Sequence, residues 1–533
     1  MNFFKNKSIF FILILFIVIV GSLLFSTNTF FHESSLNVKV LRHWTTNHDE
    51  IHFVYNALLL NNGLIQEYLG HPSVILIYLL SFTIKIFHLF NFLDISTIRQ
   101  FIESTNVEEN LNKLFFVSRI LIFVISIFFC FLSFAIFKLV SRNFIISVFL
   151  TILFIFSKGF IASTNVIDSA QLSAFLLFFS LYYLLRFLLD DEHKNIHLFF
   201  FCFLIFAAII QKIQVFFLII PTILIGFFFA KKTDDINIKL LNIKYNKKIY
   251  LILFAFTSFI IILKSLVYKS INSAFFLIFH YWFINLIFYF YTKEFQKNIF
   301  KNLILFNIIV LFSYLFLKTI VSFHPSANLE VFNVSFPKFI ETIKPYSKSF
   351  SSFKEFFLIF KENFIRIISH SFLNLNYQSI LIYINLFLLM VSKNKNTKFI
   401  FLILYLISIF LYYFLVINFR NDNPIYYIYF EFFLIFSLAC IVRNNIDYIR
   451  VKFTIIFLSI FIISVFFEKK LYYPNKEFVR HLSEQNKLNH CINPKTTEES
   501  DKAYAENYSV WTSKIPRSVI NQFCNDTTLS LTK

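Results

Sequence analysis

An all-α integral membrane protein is the fold class this sequence predicts, and three observations predict it. Of 533 residues, 58% are apolar and only 15% charged, with a mean hydropathy of +0.69; a soluble globular chain carries far more charge. Apolar windows of about 17 to 25 residues, the length that crosses ~30 Å of hydrocarbon as helix, recur along most of the chain. Clusters of Lys and Asn stand between them.

The elements follow in order. Lys5 and Lys7 precede an apolar run from Ser8 to Ser26; no small-residue cleavage pattern follows it, so the run reads as a retained first helix at 8–27 and not as a secretory leader. Further spans are expected at 114–138, 143–161, 169–189, 196–211, 213–230, 249–268, 271–292, 302–320, 377–392, 399–418, 424–442 and 453–468. That makes about thirteen. The segment 73–92 is apolar enough to cross but carries Lys85 and His88 in its second half.

Charge decides the topology of 73–92. If it spans, the Lys-rich stretch 231–248 falls outside, against the retention of Lys and Arg in cytoplasmic links. If it lies along the membrane surface, the cytoplasmic links collect Lys138 and Arg142, Lys194, the 231–248 stretch, Lys293, Lys297 and Lys301, Lys393, Lys395 and Lys398, and Arg443, Arg450 and Lys452. Lys264 and Lys269 sit on the wrong side, so the fit is good without being perfect. The expected arrangement is a membrane domain over 1–468 with a cytoplasmic amino terminus, external loops at 28–113 and 321–376, and an external carboxy-terminal segment at 469–533. The stretch 356–374 reads as an interfacial helix in the second loop.

This topology also accounts for the net charge of +19. The excess sits in the links and reports orientation, so nucleic acid is not expected as a partner. The 83 Phe fall where any large apolar side chain is tolerated and point to no function. Cys130, Cys202 and Cys440 lie inside spans as small buried residues; Cys491 and Cys524 share the polar tail and suggest a disulfide if that tail is in an oxidising compartment. With five Gly in the chain, Gly-rich phosphate loops are absent, and no internal repeat of the kind common in secondary transporters is visible.

The most informative stretch is NHDEIHFVYNALLLNNGLIQEYLGHPSVILIYLL at 47–80. Asp49 and Glu50 are adjacent acids at the start of a helical pattern, Tyr55 follows, Gly63 breaks the helix, and His71-Pro72 opens the next one. Singly, each has a plain structural reading: acids suit a helix N-terminus and proline suits a first turn. As a set, the arrangement resembles the first external loop of the GT-C glycosyltransferases that use polyprenyl-phosphate sugars, most closely the protein O-mannosyltransferase and aminoarabinose transferase group. There the first acid of the pair is implicated as catalytic base, and the helix after the proline stays in the outer loop. The resemblance thus implies a GT-C fold, with Asp49 as base beside Glu50, and Tyr55 and His71 at the substrate. It covers about residues 1–230.

A second match is STNVIDSAQLSAFLLFFSLYYLLRF at 163–187. The resemblance implies a further functional acid at Asp168, with Tyr182, Tyr183 and Arg186 in a Tyr-x-x-x-Arg-like pattern; the structural alternative is that Asp168 caps the helix beginning near Ser169. Lys212 lies at the outer end of its span, either meeting a lipid phosphate as a point charge or snorkelling to the surface. Arg420 precedes a segment resembling the family's Arg-Tyr-x-x-Pro element, but Tyr426-Tyr427 replaces Arg-Tyr and Glu431 occupies the region of the proline. His324-Pro325 and His370 carry no motif.

The implied reaction takes a polyprenyl-phosphate sugar as donor and a lipid, glycan or protein as acceptor. Its leaving group is anionic, so positive charge from Lys212 or Arg420 would assist departure, while Asp49 would accept the acceptor's hydroxyl proton. Direct displacement inverts the anomeric centre; two carboxylates across the sugar would permit retention. Asp49, Glu50 and Asp168 are oxygen ligands of the kind Mg²⁺ or Mn²⁺ prefers, yet the branch resembled is not metal-dependent, so neither metal nor other cofactor is expected. The setting expected is the plasma membrane of a bacterium, with membrane lipids as partners. A transporter or lipid-linked-sugar flippase is the rival, and it would place polar residues at mid-membrane beside broken helices.

Overall fold

The computed structural model describes residues 16–17, 20–22, 48–64, 73–103, 107–164, 166–189, 194–228, 247–267, 281–289, 299–323, 361, 377–391, 397–412 and 426–443. All regular structure among the described residues is helical. The labelled helices are α1 (His48–Asn61), α2 (Val74–Leu89), α3 (Ile98–Glu103), α4 (Val107–Ser141), α5 (Phe144–Ile155), α6 (Lys158–Thr164), α7 (Ser169–Leu189), α8 (Lys194–Gln211), α9 (Ile219–Phe228), α10 (Lys247–Val267), α11 (Ile299–Ser322), α12 (Tyr377–Val391), α13 (Thr397–Tyr412) and α14 (Tyr427–Arg443). Residues 281–289 are also helical.

Among the described residues, three helical stretches are long and apolar enough to cross a membrane: Lys113–Ser141, Ser169–Leu189 and Leu303–Ser322. A fourth crossing results if α5 and α6 count as one span bent by 62°. Most of the other expected spans coincide with shorter helices, while 453–468, the tail 469–533 and all but five residues of 8–27 lie outside the described residues. His71, His324, His370 and Arg420 do as well.

Two expectations are corrected. The span at 143–161 is not one helix: α5 ends at Ile155 and α6 begins at Lys158 in a new direction, because Ser157 caps the new helix, its Oγ accepting from the Phe160 N–H at 3.3 Å. The span at 213–230 opens as a 3₁₀ turn over Ile213–Leu218 before α9 takes over. Pro221 explains that boundary, since it supplies no N–H and its ring crowds the carbonyl four residues back, so an α-helix tolerates it only in its first turn.

Helix ends elsewhere follow local chemistry. Arg142 takes a left-handed conformation (φ 57°) that stops α4, and Asn143 then caps α5 by accepting from the Ile146 N–H at 3.1 Å. Asn91 (φ 57°) closes α2 in the same left-handed way; a short polar side chain makes that region accessible.

Two apolar cores organise the described residues. The smaller gathers α1, α2, α3 and the first half of α4, and includes Ile167 and Leu172 from either side of the start of α7. The larger unites α4 to α9 with α11 to α14 around Phe129, Phe154, Phe160, Phe178 and Phe432. Helices in lipid gain little from apolar burial alone and associate by close packing and interhelical hydrogen bonds. Asn307 Nδ2 donates to Asn285 Oδ1 at 2.9 Å, Trp282 Nε1 to Ser258 Oγ at 3.0 Å, and Asn385 Nδ2 to the Leu434 carbonyl at 3.1 Å.

Candidate functional site

Asp168 stands immediately before α7 and is 4% exposed. Its Oδ1 accepts from the Ala170 N–H at 2.5 Å and from Lys212 Nζ at 2.7 Å. The capping role and the role in a polar centre are therefore both filled by one carboxylate. Lys212 occupies the single-residue break between α8 and the 3₁₀ turn, and at 3% exposure it does not snorkel. Its ammonium also lies over the Tyr426 ring, 4.6 Å from the centroid. Burial disfavours a charged lysine, but the charge and hydrogen bond of Asp168, with Tyr426 and Tyr429 beside it, outweigh that and raise its pKa above the ordinary value.

Gln211 joins a third region to this centre. Its carbonyl lies 3.5 Å from Ser73 Oγ, and its Oε1 accepts from the Leu76 N–H at 3.2 Å. Ser73, directly after His71-Pro72, and the first turn of α2 are thereby held at the same end of the bundle as Asp168 and Lys212. Tyr429 adds a fourth region: its hydroxyl bonds Ser173 Oγ and donates to the Ala170 carbonyl at 3.1 Å.

Around the ion pair, several buried polar atoms have no hydrogen-bond partner: Ser169 Oγ, Gln211 Nε2, Gln214 Oε1 and the hydroxyl of Tyr412, whose ring meets the Tyr429 ring edge to face. A buried polar group left unmatched costs about 1–3 kcal/mol. With Asp168 and Lys212 cancelling each other's charge, the centre offers both donors and acceptors for hydrogen bonding rather than an excess of either sign.

The remaining expected residues are distributed as follows. Asp49 and Glu50 fall in the first turn of α1, where the helix dipole favours acids; their side chains lie outside the described residues. Tyr55, on the same helix, is fully buried in the smaller core. Tyr182, Tyr183 and Arg186 sit near the far end of α7, Arg186 about 27 Å from Asp168 at 1.5 Å per residue, so they belong to the other end of the bundle. Tyr183 there stacks on Phe200. Cys130, Cys202 and Cys440 are buried, and none of the three is in a disulfide. Among the described residues no three His, Cys, Asp or Glu side chains lie together as metal ligands would.

Two charged residues inside apolar helices match none of the motifs and are also buried, Arg119 and Glu431. Arg119 is 7% exposed within the candidate span Lys113–Ser141, seven residues before Ser126, which puts both on one face of α4. Ser126 Oγ is bonded by Gln171 Nε2 and lies 3.3 Å from Thr164 Oγ1, so this face looks toward the start of α7. Glu431 is fully buried in α14. Its Oε2 accepts from the Gly159 N–H at 2.7 Å and its Oε1 from Gln378 Nε2 at 2.6 Å. The available signal for both was a charge inside an apolar run, which in a membrane helix marks a special site by default.

Among the described residues the fold is all-helical, with helices long and apolar enough to cross a membrane. Compared with family models, curated proteins and solved structures, the chain matches none.

Proposed function

We propose that this chain is a membrane glycosyltransferase of the GT-C kind, with about thirteen spans in the plasma membrane of a bacterium. It transfers one sugar from a polyprenyl-phosphate donor to an acceptor at the outer face. The observation that carries this reading is the contact between Asp168 and Lys212, with Gln211 beside them bonded to the start of α2. Three segments that the distribution of Lys and Arg assigns to the outer surface meet at one end of the bundle, and a single buried polar centre results. A scaffold protein has no need of such a centre.

Roles follow from the chemistry. Asp49 accepts the proton of the acceptor hydroxyl as that oxygen bonds to the anomeric carbon, and the bond from that carbon to the phosphate oxygen breaks, inverting the centre. Glu50 stands beside it. Asp168 holds Lys212 and the first turn of α7 in place, so the Lys212 ammonium meets the leaving phosphate as a hydrogen-bond donor, while Arg119 and Arg420 supply positive charge toward it. Tyr55, packed inside the smaller core, supports the first-loop side of the site, and His71 stands at the substrate. The test uses proteoliposomes supplied with radiolabelled polyprenyl-phosphate mannose and a hydroxyl acceptor extract, comparing the wild type with Asp49→Asn at matched protein level. Loss of transfer by two orders of magnitude or more is expected from removal of a positioned base, ~10²–10⁴-fold; transfer at the wild-type level overturns Asp49 as base.

One observation favours the rival transporter reading. α5 and α6 form a broken helix pair whose break is met by a buried carboxylate, Glu431, and discontinuous helices with polar groups at the break are how transporters build ion and substrate sites. Flux of a lipid-linked sugar into proteoliposomes containing no acceptor supports that reading, and its absence alongside transfer to acceptor removes it.

A further inference from the structure

The break between α5 and α6 is completed from elsewhere in the chain on both of its sides. At the end of α5, the Leu153 carbonyl accepts from the Tyr377 hydroxyl at 2.7 Å. At the start of α6, Glu431 accepts from the Gly159 N–H while Gln378 Nε2 bonds its other oxygen. Gly159 itself lies against α14 so closely that a Cβ there would overlap the backbone of Tyr427 and Ile428. The Lys158 ammonium lies 5.5 Å from the centroid of the Tyr427 ring.

The same first turns of α14 reach the Asp168–Lys212 centre. Tyr426, one residue before the helix, covers Lys212; Tyr429 bonds the first turn of α7; Glu431 locks α6, and α6 leads within four residues to Asp168. Two of the three strands of chain that form the centre are therefore set by where α14 begins, and Glu431 is the polar contact that fixes this against the broken helix.

We infer that Glu431 is a positioning residue: by capping α6 it holds the start of α14 so that Tyr426 stays over the Lys212–Asp168 pair. The role is geometric and needs two acceptor or donor contacts at the side-chain tip, which a glutamine retains if the Gln378 amide turns over. It concerns the Asp168–Lys212 centre itself and stands whether the protein transfers a sugar or passes one.

The test reads the accessibility of Lys212 and needs neither donor nor acceptor, so its failure and that of the transferase reading are separable. Purified full-length protein in detergent is treated with an amine-reactive reagent, and Lys212 modification is quantified by peptide mass spectrometry against Lys113, whose side chain is about a third exposed (34%). Lys212 is expected to be protected in the wild type and in Glu431→Gln, and modified several-fold more in Glu431→Ala. Leu438→Ala removes packing from the same helix without touching the lock and is expected to leave Lys212 protected. Gln378→Leu withdraws one donor and is expected to expose Lys212 to a smaller degree, which carries the test if Glu431→Ala does not accumulate. Protection at the wild-type level in both Glu431→Ala and Gln378→Leu, or in Gln378→Leu alone where Glu431→Ala cannot be purified, overturns the inference. So does equal exposure in Leu438→Ala, or exposure in Glu431→Gln as large as in Glu431→Ala.

Discussion

Asp168 and Lys212 neutralise each other at 2.7 Å across 44 residues of sequence, and both are buried. Removing one partner of such a pair leaves an uncompensated charge and costs about 3–5 kcal/mol, whereas removing both costs far less. Asp168→Asn and Lys212→Met are each expected to lower the thermal unfolding temperature in detergent, and the double variant to recover much of the loss. Additive losses in the double variant would show that the two groups do not depend on each other.

Gly159→Ala places a methyl group into the backbone of α14. Side chains yield to such an intrusion by changing rotamer, but backbone does not, so the cost is expected at or above the upper end of overpacking, about 3 kcal/mol. Low recovery of monodisperse protein, with a depressed unfolding temperature in what is recovered, is the expected result. An unaltered unfolding temperature would mean that the two helices separate without penalty.

Tyr426 meets Lys212 through its ring face. Tyr426→Phe keeps that face and is expected to be neutral, while Tyr426→Leu forfeits about 0.5–2 kcal/mol of cation–π attraction. Denaturant or thermal midpoints of the two variants, compared side by side, decide whether the ring or the hydroxyl matters.

Orientation is checked with single cysteines in a background lacking the five native ones. Asp94 and Glu109, both exposed, are expected to react as cysteines with an impermeant maleimide applied to intact cells, and Lys239→Cys in the basic stretch only after permeabilisation. The opposite pattern would invert the membrane topology and remove the outer-face site with it.

Much of this architecture was legible from hydropathy alone. The 169–189 segment is a helix with those bounds, and 377–392 and 196–211 differ from the observed helices by one or two residues at an end, because a run of apolar side chains in lipid has no alternative to helix. The break at Phe156-Ser157 was not legible, since Ser157 and Gly159 are common within membrane helices and their effect depends on Glu431, 272 residues from Gly159. Likewise, the charge rule put Asp168 and Lys212 at one surface, yet their contact depends on how α7 and α8 pack. Glu431 departs from the motif resembled there, and a carboxylate within FEFFLIF is itself the stronger signal.

The long reach from Gly159 to Glu431 has a consequence during synthesis. At roughly 5–20 residues per second, a ribosome needs on the order of tens of seconds to add that stretch, so α5 and α6 enter the bilayer well before their stabilising acid exists. Until α14 arrives, the nascent chain must shelter the bare amides of α6 with water, lipid headgroups or the insertion machinery. The last helix of the described bundle is thus the one that completes a turn begun near the start.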